Sequence, residues 1–295
     1  MPNGNLGFHF YKEYYRDFTK DDWDEVIKEK SPKLCNNASN SLNNVNKKLT
    51  SYEYSKSVSD SFQWLKTVNN VKTFELTTTY PGLLLGSGYN HAAGNINEEF
   101  KIGFYFDYTT GLPVIPGSSI KGLIRSAFPN STLTKHSKDY KEHKNQRFEY
   151  LKENKVIKEL LIGTNDSVSA KEKKDKDNKK IDELENEIFI TGRQREKTNV
   201  NVYDRDTFFD AYIIGTGNKD NCFLSDDYIT PHKDNPYKNP IPLKFLKVLP
   251  DVVFCFSFRL FDGIIDKDKK LELFKNIICD LGIGAKTNVG YGQFE

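Results

Sequence analysis

Alternation of apolar and polar residues predicts several strands in this chain. Between Val71 and Thr79 the alternation is rich in β-branched residues, and Gly86 and Gly88 follow the predicted strand and break it. The segment FKIGFYFDYTTG, residues 100–111, predicts a second strand that ends in a turn. NVYDRDTFFDAYIIG predicts a further strand, and so does IPLKFLKVLPDVVFCFSFRLF, which is divided at Pro250–Asp251.

Helical spacing marks three other stretches. Lys20–Lys30 carries acids in its first turn and lysines in its last, as the helix dipole favours. After Pro116, a serine cap precedes a helix with an apolar stripe, formed by Ile120, Leu123, Ile124 and Phe128. Near the end of the chain a second stripe precedes Gly282 and is formed by Leu271, Phe274, Ile277, Ile278 and Leu281. This order of elements predicts an α+β domain with a mainly antiparallel sheet.

Two regions depart from these patterns. Residues 1–70 are predicted to form a helical or irregular N-terminal extension, since CNNASNSLNNVNKKLTSYEYSKS is rich in Asn and Ser and predicts a loop or an irregular helix. Residues 130–187 are predicted to be an insertion. Its last part, 170–187, is dominated by charges, so we expect it to be mobile. The whole of 1–295 is expected to form one domain.

Composition restricts the class of protein. The chain has 295 residues, of which 37% are hydrophobic and 28% are charged, as is typical of a soluble globular domain. No apolar run is long enough to span a membrane, and the N-terminal residues lack a signal-peptide pattern. Four cysteines are scattered without the spacing of a metal site. We therefore expect a cytoplasmic protein with no metal, no other cofactor and no membrane partner.

Charge is distributed unevenly although the net charge is only +2. Between Ser119 and Lys158, ten Lys or Arg residues stand against four Asp or Glu. Such a patch suits a polyanionic partner, and it is equally typical of a solvated helical face.

The last residues, GIGAKTNVGYGQFE, combine four glycines with a lysine. The spacing fits neither the phosphate-binding P-loop nor the dinucleotide-binding motif. One interpretation is a tight hairpin that only packs. The other is a loop whose backbone amides meet phosphate groups. Its candidate RNA-binding residues are Gly284, Lys286, Thr287, Asn288 and Tyr291.

Three further segments supply candidate contacts. The turn PGSSIKG exposes amides at a helix N-terminus, a common phosphate site, although a serine there is often only a cap. Its candidates are Ser118, Ser119, Lys121 and Arg125. The segment RQREKTNV contributes Arg193, Arg195 and Lys197, which either follow an RNA backbone or are merely solvated. His91, in a glycine-rich loop, is a possible loop contact, with a structural role as the alternative.

Several of these motifs resemble a known family. GLPVIPGSSIKGLIRSAF and the terminal GIGAKTNVGYGQF resemble the RAMP superfamily of CRISPR-associated proteins. NLGFHFYKEYY, FFDAYII and DDYITPHKDNPYKNPIPLKFLKVLPDVVFCFSF resemble, within it, the family of sixth Cmr subunits of type III-B effector complexes. The resemblance spans most of the chain outside about 30–70 and 130–187. It implies a ferredoxin-like, RRM-like RAMP domain.

The resemblance also implies a function. Such a subunit is non-catalytic and binds the 3′ region of the guide RNA (crRNA) at the end of the backbone filament, in antiviral defence. The implied partners are crRNA, target RNA, the repeated backbone RAMP, the small helical subunit and the capping RAMP subunit. The related target-cleaving subunit carries its catalytic Asp between the first strand and the PGSS helix. Here the acids between Gly86 and Phe106 are only Glu98 and Glu99, which argues against cleavage.

Two alternatives remain open at this point. A metal-independent RAMP endoribonuclease would need a general base and a charge stabiliser, roles in which His91 and Tyr89 could act. An RNA-binding protein unrelated to CRISPR is the other. Because the candidate contacts are amides, serines and lysines rather than aromatic rings, we expect RNA binding without base preference.

Overall fold

The structure is a computed structural model that describes residues 4–27, 36–55, 60–91, 96, 98–131, 139–162, 169–192, 205–230 and 242–295. Its strands are β1 Val71–Thr77, β2 Val114–Ile115, β3 Thr207–Phe208, β4 Ala211–Thr216, β5 Leu224–Ile229, β6 Leu243–Val248 and β7 Val252–Arg259. Its α-helices are α1 Leu6–Tyr11, α2 Lys20–Ile27, α3 Asn36–Thr50, α4 Gly117–Ser126, α5 Tyr140–Glu153, α6 Lys155–Leu161, α7 Ala170–Asn186 and α8 Lys267–Leu281. Shorter helical turns cover Asp60–Thr67, Glu187–Thr191 and Thr287–Val289.

The main sheet has the order β1-β7-β4-β2, with β3 also paired to β7. Each of these pairs is antiparallel. The chain end extends the sheet beyond β1, since the amides of Thr77 and Glu295 donate to each other's carbonyls at 2.8 and 3.0 Å. With this segment, β1, α4, β4, β7 and α8 succeed one another as strand, helix, strand, strand, helix and strand, with the remaining elements inserted between them. The predicted α+β class and antiparallel sheet are confirmed.

One face of the sheet is covered by α8 and α4. Strand β7 has three buried phenylalanines at alternate positions, and Phe258 packs on Phe274 of α8 with ring centres 5.3 Å apart. The side chain of Asp266 accepts from the Lys269 amide and caps α8, which ends at Gly282 with φ +67°. The predicted helix and its glycine stop are therefore observed. β5 and β6 pair separately as a two-stranded sheet.

The N-terminal region is more regular than its composition indicates. The Asn- and Ser-rich stretch, predicted to be a loop or an irregular helix, forms the 15-residue helix α3. Its buried apolar residues keep helical spacing and are Ala38, Leu42, Val45 and Leu49. Conversely, the strand predicted over residues 100–111 is not formed, and only isolated bridges involve Phe104 and Phe106. All of these apolar side chains belong to the main hydrophobic core.

The insertion 130–187 contains α5, α6 and α7. The segment 170–187, expected to be mobile, is instead a helix whose Ser169 and Glu172 form a capping box. Its C-terminal half is anchored, because Ile181 and Leu184 are fully buried in the main core. The expectation that this segment is mobile was therefore wrong. Two apolar residues three positions apart dock a helix whose other residues are mostly charged.

A buried ionic cluster connects the insertion to the core. Lys270 on α8 is 1% exposed, and its Nζ lies 2.9 Å from Asp206 and 3.1 Å from Glu187. The same carboxylates accept the amides of Phe261 and Ile264 at about 3.0 Å. Since a buried charge is tolerated only when it is paired and hydrogen-bonded, this cluster holds the end of the insertion and the start of β3 against α8.

Leu184→Ala tests the docking of α7. We expect it to lower the free energy of unfolding by about 2–5 kcal/mol, because it empties a fully buried position. The exposed Lys176→Ala on the same helix should change this free energy by less than about 0.5 kcal/mol. Urea unfolding of both variants measures the difference, and equal small effects would mean that α7 does not pack on the core.

Candidate nucleic-acid interface

The C-terminal glycine segment, residues 282–292, is fixed against residues 82–86. The amide of Ala285 donates to the carbonyl of Leu84 at 2.7 Å, and the amide of Gly292 donates to Gly82 at 2.9 Å. Within the segment, the amide of Ile283 donates to Gly292 at 2.9 Å. The end of the chain is therefore an integral part of the fold rather than a frayed terminus.

The glycines of this segment are required by backbone packing. Gly284 has φ +101°, and a Cβ placed on it would lie 2.4 Å from the carbonyl oxygen of Leu84. A Cβ on Gly292 would lie 1.9 Å from the carbonyl oxygen of Ile283. Real Cβ atoms do not approach oxygen so closely, so glycine is needed here before any ligand is considered. The packing interpretation thus accounts for these glycines without RNA.

The same packing creates a cleft between the glycine segment and the start of α4. The cleft has a volume of about 310 Å³. Its lining residues are Leu85, Gly86, Ser87, Ile115, Pro116, Ser119, Leu123, Leu281, Gly282, Ile283, Gly284, Ala285 and Thr287. Three predicted contact residues from two distant motifs, Ser119, Gly284 and Thr287, therefore share one concave surface.

Hydrogen-bond donors remain available around this cleft. On the loop, the amides of Gly284, Lys286 and Thr287 have no acceptor among the described residues. At the start of α4, the Gly117 amide donates to the carboxylate of Asp210 at 2.7 Å, so it is not available to a ligand. The next amide, that of Ser118, finds no acceptor in the described part of the chain. Unpaired amides of this kind suit an anion.

A group of cations lies on the other side of α4. The Nζ of Lys121 sits 5.7 Å from the ring centre of Phe208, and the Arg125 guanidinium 5.8 Å from that of Phe189. Burial, and then the charges of Arg125 and Arg205, lower the pKa of Lys121. Lys121 and Arg125 form no ion pair with a described carboxylate. Arg125 also interacts with the buried carboxylate of Glu185. A bound anion would relieve the remaining repulsion between these cations.

Helix geometry places the cleft and the cations on two sides of one exposed surface. Ser119 and Leu123, four residues apart, face the cleft, while Lys121 and Arg125 lie on the opposite flank. Between them is the exposed Gly122, around which a Cβ would meet no atom within 4 Å. A chain-like polyanion can thus cross α4 and contact both sides.

The remaining predicted residues of the glycine segment divide into two groups. Lys286 and Asn288 are exposed, as an interface requires. Tyr291 is buried instead, and its hydroxyl donates to Asp227 at 2.9 Å. Burial and the Asp227 carboxylate raise the pKa of Tyr291 to about 12. The expected RNA contact of Tyr291 is corrected, because its ring packs against Phe245 within the fold.

The basic segment RQREKTNV lies outside the described residues, so its candidates Arg193, Arg195 and Lys197 stay predictions. Arg205, a few positions further on, was missed by the sequence analysis. Arg205 acts on Lys121 of the distant helix α4, whose pKa its charge helps to lower. In the sequence itself, the only sign of such a role is a positive charge next to Asp206. A residue of this kind is found only once the fold is known.

His91 is part of the core rather than of a surface loop. It is 2% exposed, its Nε2 lies 2.8 Å from the carbonyl oxygen of Phe10, and its ring stacks on Tyr14 at 3.7 Å. Burial lowers the pKa of His91 to about 4, so the imidazole is neutral at physiological pH. The possible RNA contact of His91 is corrected, because the N-terminal helices cover it.

An aspartate does lie in the connection between β1 and α4. It is Asp107, which directly follows the range from Gly86 to Phe106. The carboxylate of Asp107 accepts from the Thr110 amide at 2.7 Å and from the hydroxyls of Thr109 and Thr110. Burial alone would raise the pKa of Asp107, but these hydrogen bonds outweigh it and lower the pKa. In this structure Asp107 holds the turn that ends at Gly111.

Two kinds of feature are absent from the described residues. No three His, Cys, Asp or Glu side chains in these ranges lie close enough together to hold a metal ion. No helix among them combines the length and the apolar character needed to cross a membrane.

Comparison with known proteins gives concordant matches. The RAMP superfamily model matches residues 75–295. The CRISPR system Cmr subunit Cmr6 of Pyrococcus furiosus is 30% identical over 203 residues, which are 62% of this chain and 58% of that protein. The chain thus matches somewhat more than half of the length of this relative.

Solved structures are also similar to the chain. A chain of the cryo-EM structure of the Type III-B Cmr-beta bound to cognate target RNA matches with a TM-score of 0.54 and 20% identity. That match covers 99% of this chain and 90% of the other, and it shows a shared fold. The crystal structure of Cmr6 from Pyrococcus furiosus matches with a TM-score of 0.42 and 25% identity, over 77% of this chain and 98% of the other.

Gly284→Ala and Gly290→Ala form a matched pair. Both positions have φ near +100°, but a Cβ on Gly290 would have only Pro81 Cδ nearby, at 3.6 Å. Both variants should lose about 1–3 kcal/mol from backbone strain, and Gly284→Ala should lose more, because the Leu84 carbonyl must move. Thermal unfolding compares them, and equal losses would contradict the close packing at Gly284.

The burial of His91 predicts that the stability of the folded protein depends on pH. Its pKa is about 4 in the folded protein against an ordinary value of 6.5, so only the unfolded chain takes up the proton as pH falls between these values. Stability should therefore be unaffected above pH 6.5 and decrease below it, by about 2–3 kcal/mol at a pH of about 4.5. Urea unfolding at two pH values should show a smaller decrease for His91→Phe than for the parent. An equal decrease in both would contradict the burial.

Proposed function

Because the chain belongs to the RAMP superfamily, we propose that it is a non-catalytic, guide-RNA-binding subunit of a type III-B CRISPR effector complex. The relative from Pyrococcus furiosus is a Cmr subunit, and the Cmr-beta structure with a matching chain is bound to target RNA. The proposal includes a position at the 3′ region of the crRNA, at the end of the backbone filament. Its partners would be target RNA, the repeated backbone RAMP, the small helical subunit and the capping RAMP subunit, in the cytoplasm.

The observation that carries this proposal is the arrangement around α4. The cleft beside Ser119 and the cations Lys121 and Arg125 occupy two flanks of the same short helix. An RNA strand crossing the helix would place phosphates near the unpaired amides of Gly284 and Lys286, and the lysine side chains would add charge. Each of these groups recognises phosphate rather than a base, so the guide sequence is left free to pair with a target.

The absence of catalysis in this proposal is supported by the surroundings of His91 and Asp107. RNA cleavage without metal needs a general base within hydrogen-bond reach of the 2′-hydroxyl. His91 is neutral at physiological pH but is 2% exposed, so it cannot reach a hydroxyl. The carboxylate of Asp107 is engaged by Thr109 and Thr110. Binding, rather than cleavage, is the activity that this geometry favours.

Lys121→Ala and Lys286→Ala should each weaken binding to single-stranded RNA and reduce the log–log salt slope by about 0.7, because each removes one phosphate contact. The measurement is fluorescence anisotropy with a labelled single strand at several KCl concentrations. Lys219→Ala is the control, since Lys219 is exposed in the turn after β4 and does not line the cleft. It should keep the slope of the parent.

Parent-like slopes for both Lys121→Ala and Lys286→Ala would contradict the interface. The same samples, incubated without divalent metal and run on a denaturing gel, should contain intact RNA. Specific cleavage that is lost in His91→Ala would overturn the non-catalytic proposal and favour the endoribonuclease alternative.

A further inference from the structure

A group of exposed aromatic rings lies around Tyr11 and takes no part in the interface described above. Phe8, Tyr89 and Tyr108 are 52%, 53% and 74% exposed. Phe8 and Tyr11 lie three residues apart on α1 and share one side of it. Isolated exposed rings are common, but three tyrosine rings gathered around Tyr11, with Phe8 one turn away on α1, indicate a binding surface.

These rings are held in place by the fold. The Tyr11 hydroxyl accepts the amide of Phe106 at 2.6 Å, which fixes the central ring. The ring of Tyr89 stands edge-on to it with centres 6.0 Å apart, and the ring of Tyr108 lies at 5.5 Å and 36°. The surface is therefore formed before any ligand binds, so little side-chain entropy is lost on binding.

The Asn5 side chain also joins the turn that carries Tyr108 to α1. The amide group of Asn5 donates to the carbonyl of Tyr108 at 3.0 Å, and its oxygen caps α1 by accepting the Phe8 amide at 2.9 Å. Asp107 orders the same turn through its hydrogen bonds to Thr110. Two separate parts of the chain thus present their rings side by side.

The position of Tyr89 connects this surface to the cleft. Ser87 lines the cleft, and Tyr89 follows it by two residues. The chain between their Cα atoms can span at most about 7 Å. A single strand whose phosphates occupy the cleft would therefore have its next bases within reach of the aromatic rings.

We propose that Phe8, Tyr11, Tyr89 and Tyr108 form a stacking platform for unpaired bases of the RNA bound in the cleft. This proposal rests on the proposed function. Stacking on tyrosine accepts every base, since each has a π face, so the platform adds affinity without sequence preference. An RNA base is favoured over a protein side chain as the occupant because the platform adjoins a site with unpaired amides and cations.

The test compares two single-stranded RNAs of equal length, one complete and one with abasic positions, so that both carry the same phosphates. Tyr89→Ala and Tyr108→Ala should lower the affinity for the complete RNA by about tenfold. They should leave the affinity for the abasic RNA nearly unchanged. Tyr89→Phe, which keeps the ring, should bind like the parent. Trp64→Ala removes an exposed ring from the helical turn Asp60–Thr67 and should change neither affinity.

The outcomes separate the platform from the interface. If the parent binds neither RNA, the proposed function fails, and the platform with it. If the parent binds both RNAs and the tyrosine variants bind like the parent, the interface stands and the platform is overturned, leaving these rings to a protein neighbour. Equal losses on complete and abasic RNA would also overturn stacking, because the effect would then not involve bases.

Discussion

The close approach of two backbone segments, residues 82–86 and 282–292, determines the rest of the candidate site. Glycine at 284 lets these segments touch where a side chain would collide with the carbonyl oxygen of Leu84, and glycine at 292 lets the C-terminal segment fold against its own Ile283 carbonyl. Their contact adds the chain end to the sheet beside β1. It also brings the C-terminal loop beside α4, although the two motifs are more than 150 residues apart in sequence. Without this contact there would be no cleft.

Packing and phosphate binding are complementary explanations of the glycine segment. The hydrogen bonds from Ala285 and Gly292 point inward and hold the segment to the fold. The amides of Gly284, Lys286 and Thr287 have no acceptor among the described residues and remain for a ligand. A rigid loop with free donors loses little entropy on binding, so its fixed packing favours its use as an anion site.

Local patterns predicted the parts of the structure that local forces determine. The stripe of α8, its stop at Gly282 and the division at Pro250–Asp251 follow from periodicity and backbone preference. α3 was predicted only as a loop or an irregular helix, and α7 was expected to be mobile, because apolar positions such as Leu42 and Leu184 are sparse among polar and charged residues. The burial of His91 and Tyr291, and the position of Arg205, depend on contacts with distant parts of the chain, which composition and spacing do not encode.

Hydrogen–deuterium exchange with and without single-stranded RNA tests the central claim most directly, namely that the cleft between the glycine segment and α4 binds RNA. Amides without acceptors exchange quickly, so a bound phosphate should slow them measurably. The account predicts slower exchange in peptides covering residues 84–88, 117–125 and 282–289, and unchanged exchange in the turn 217–221, which does not line the cleft. RNA binding with unchanged exchange in 117–125 and 282–289 would contradict it.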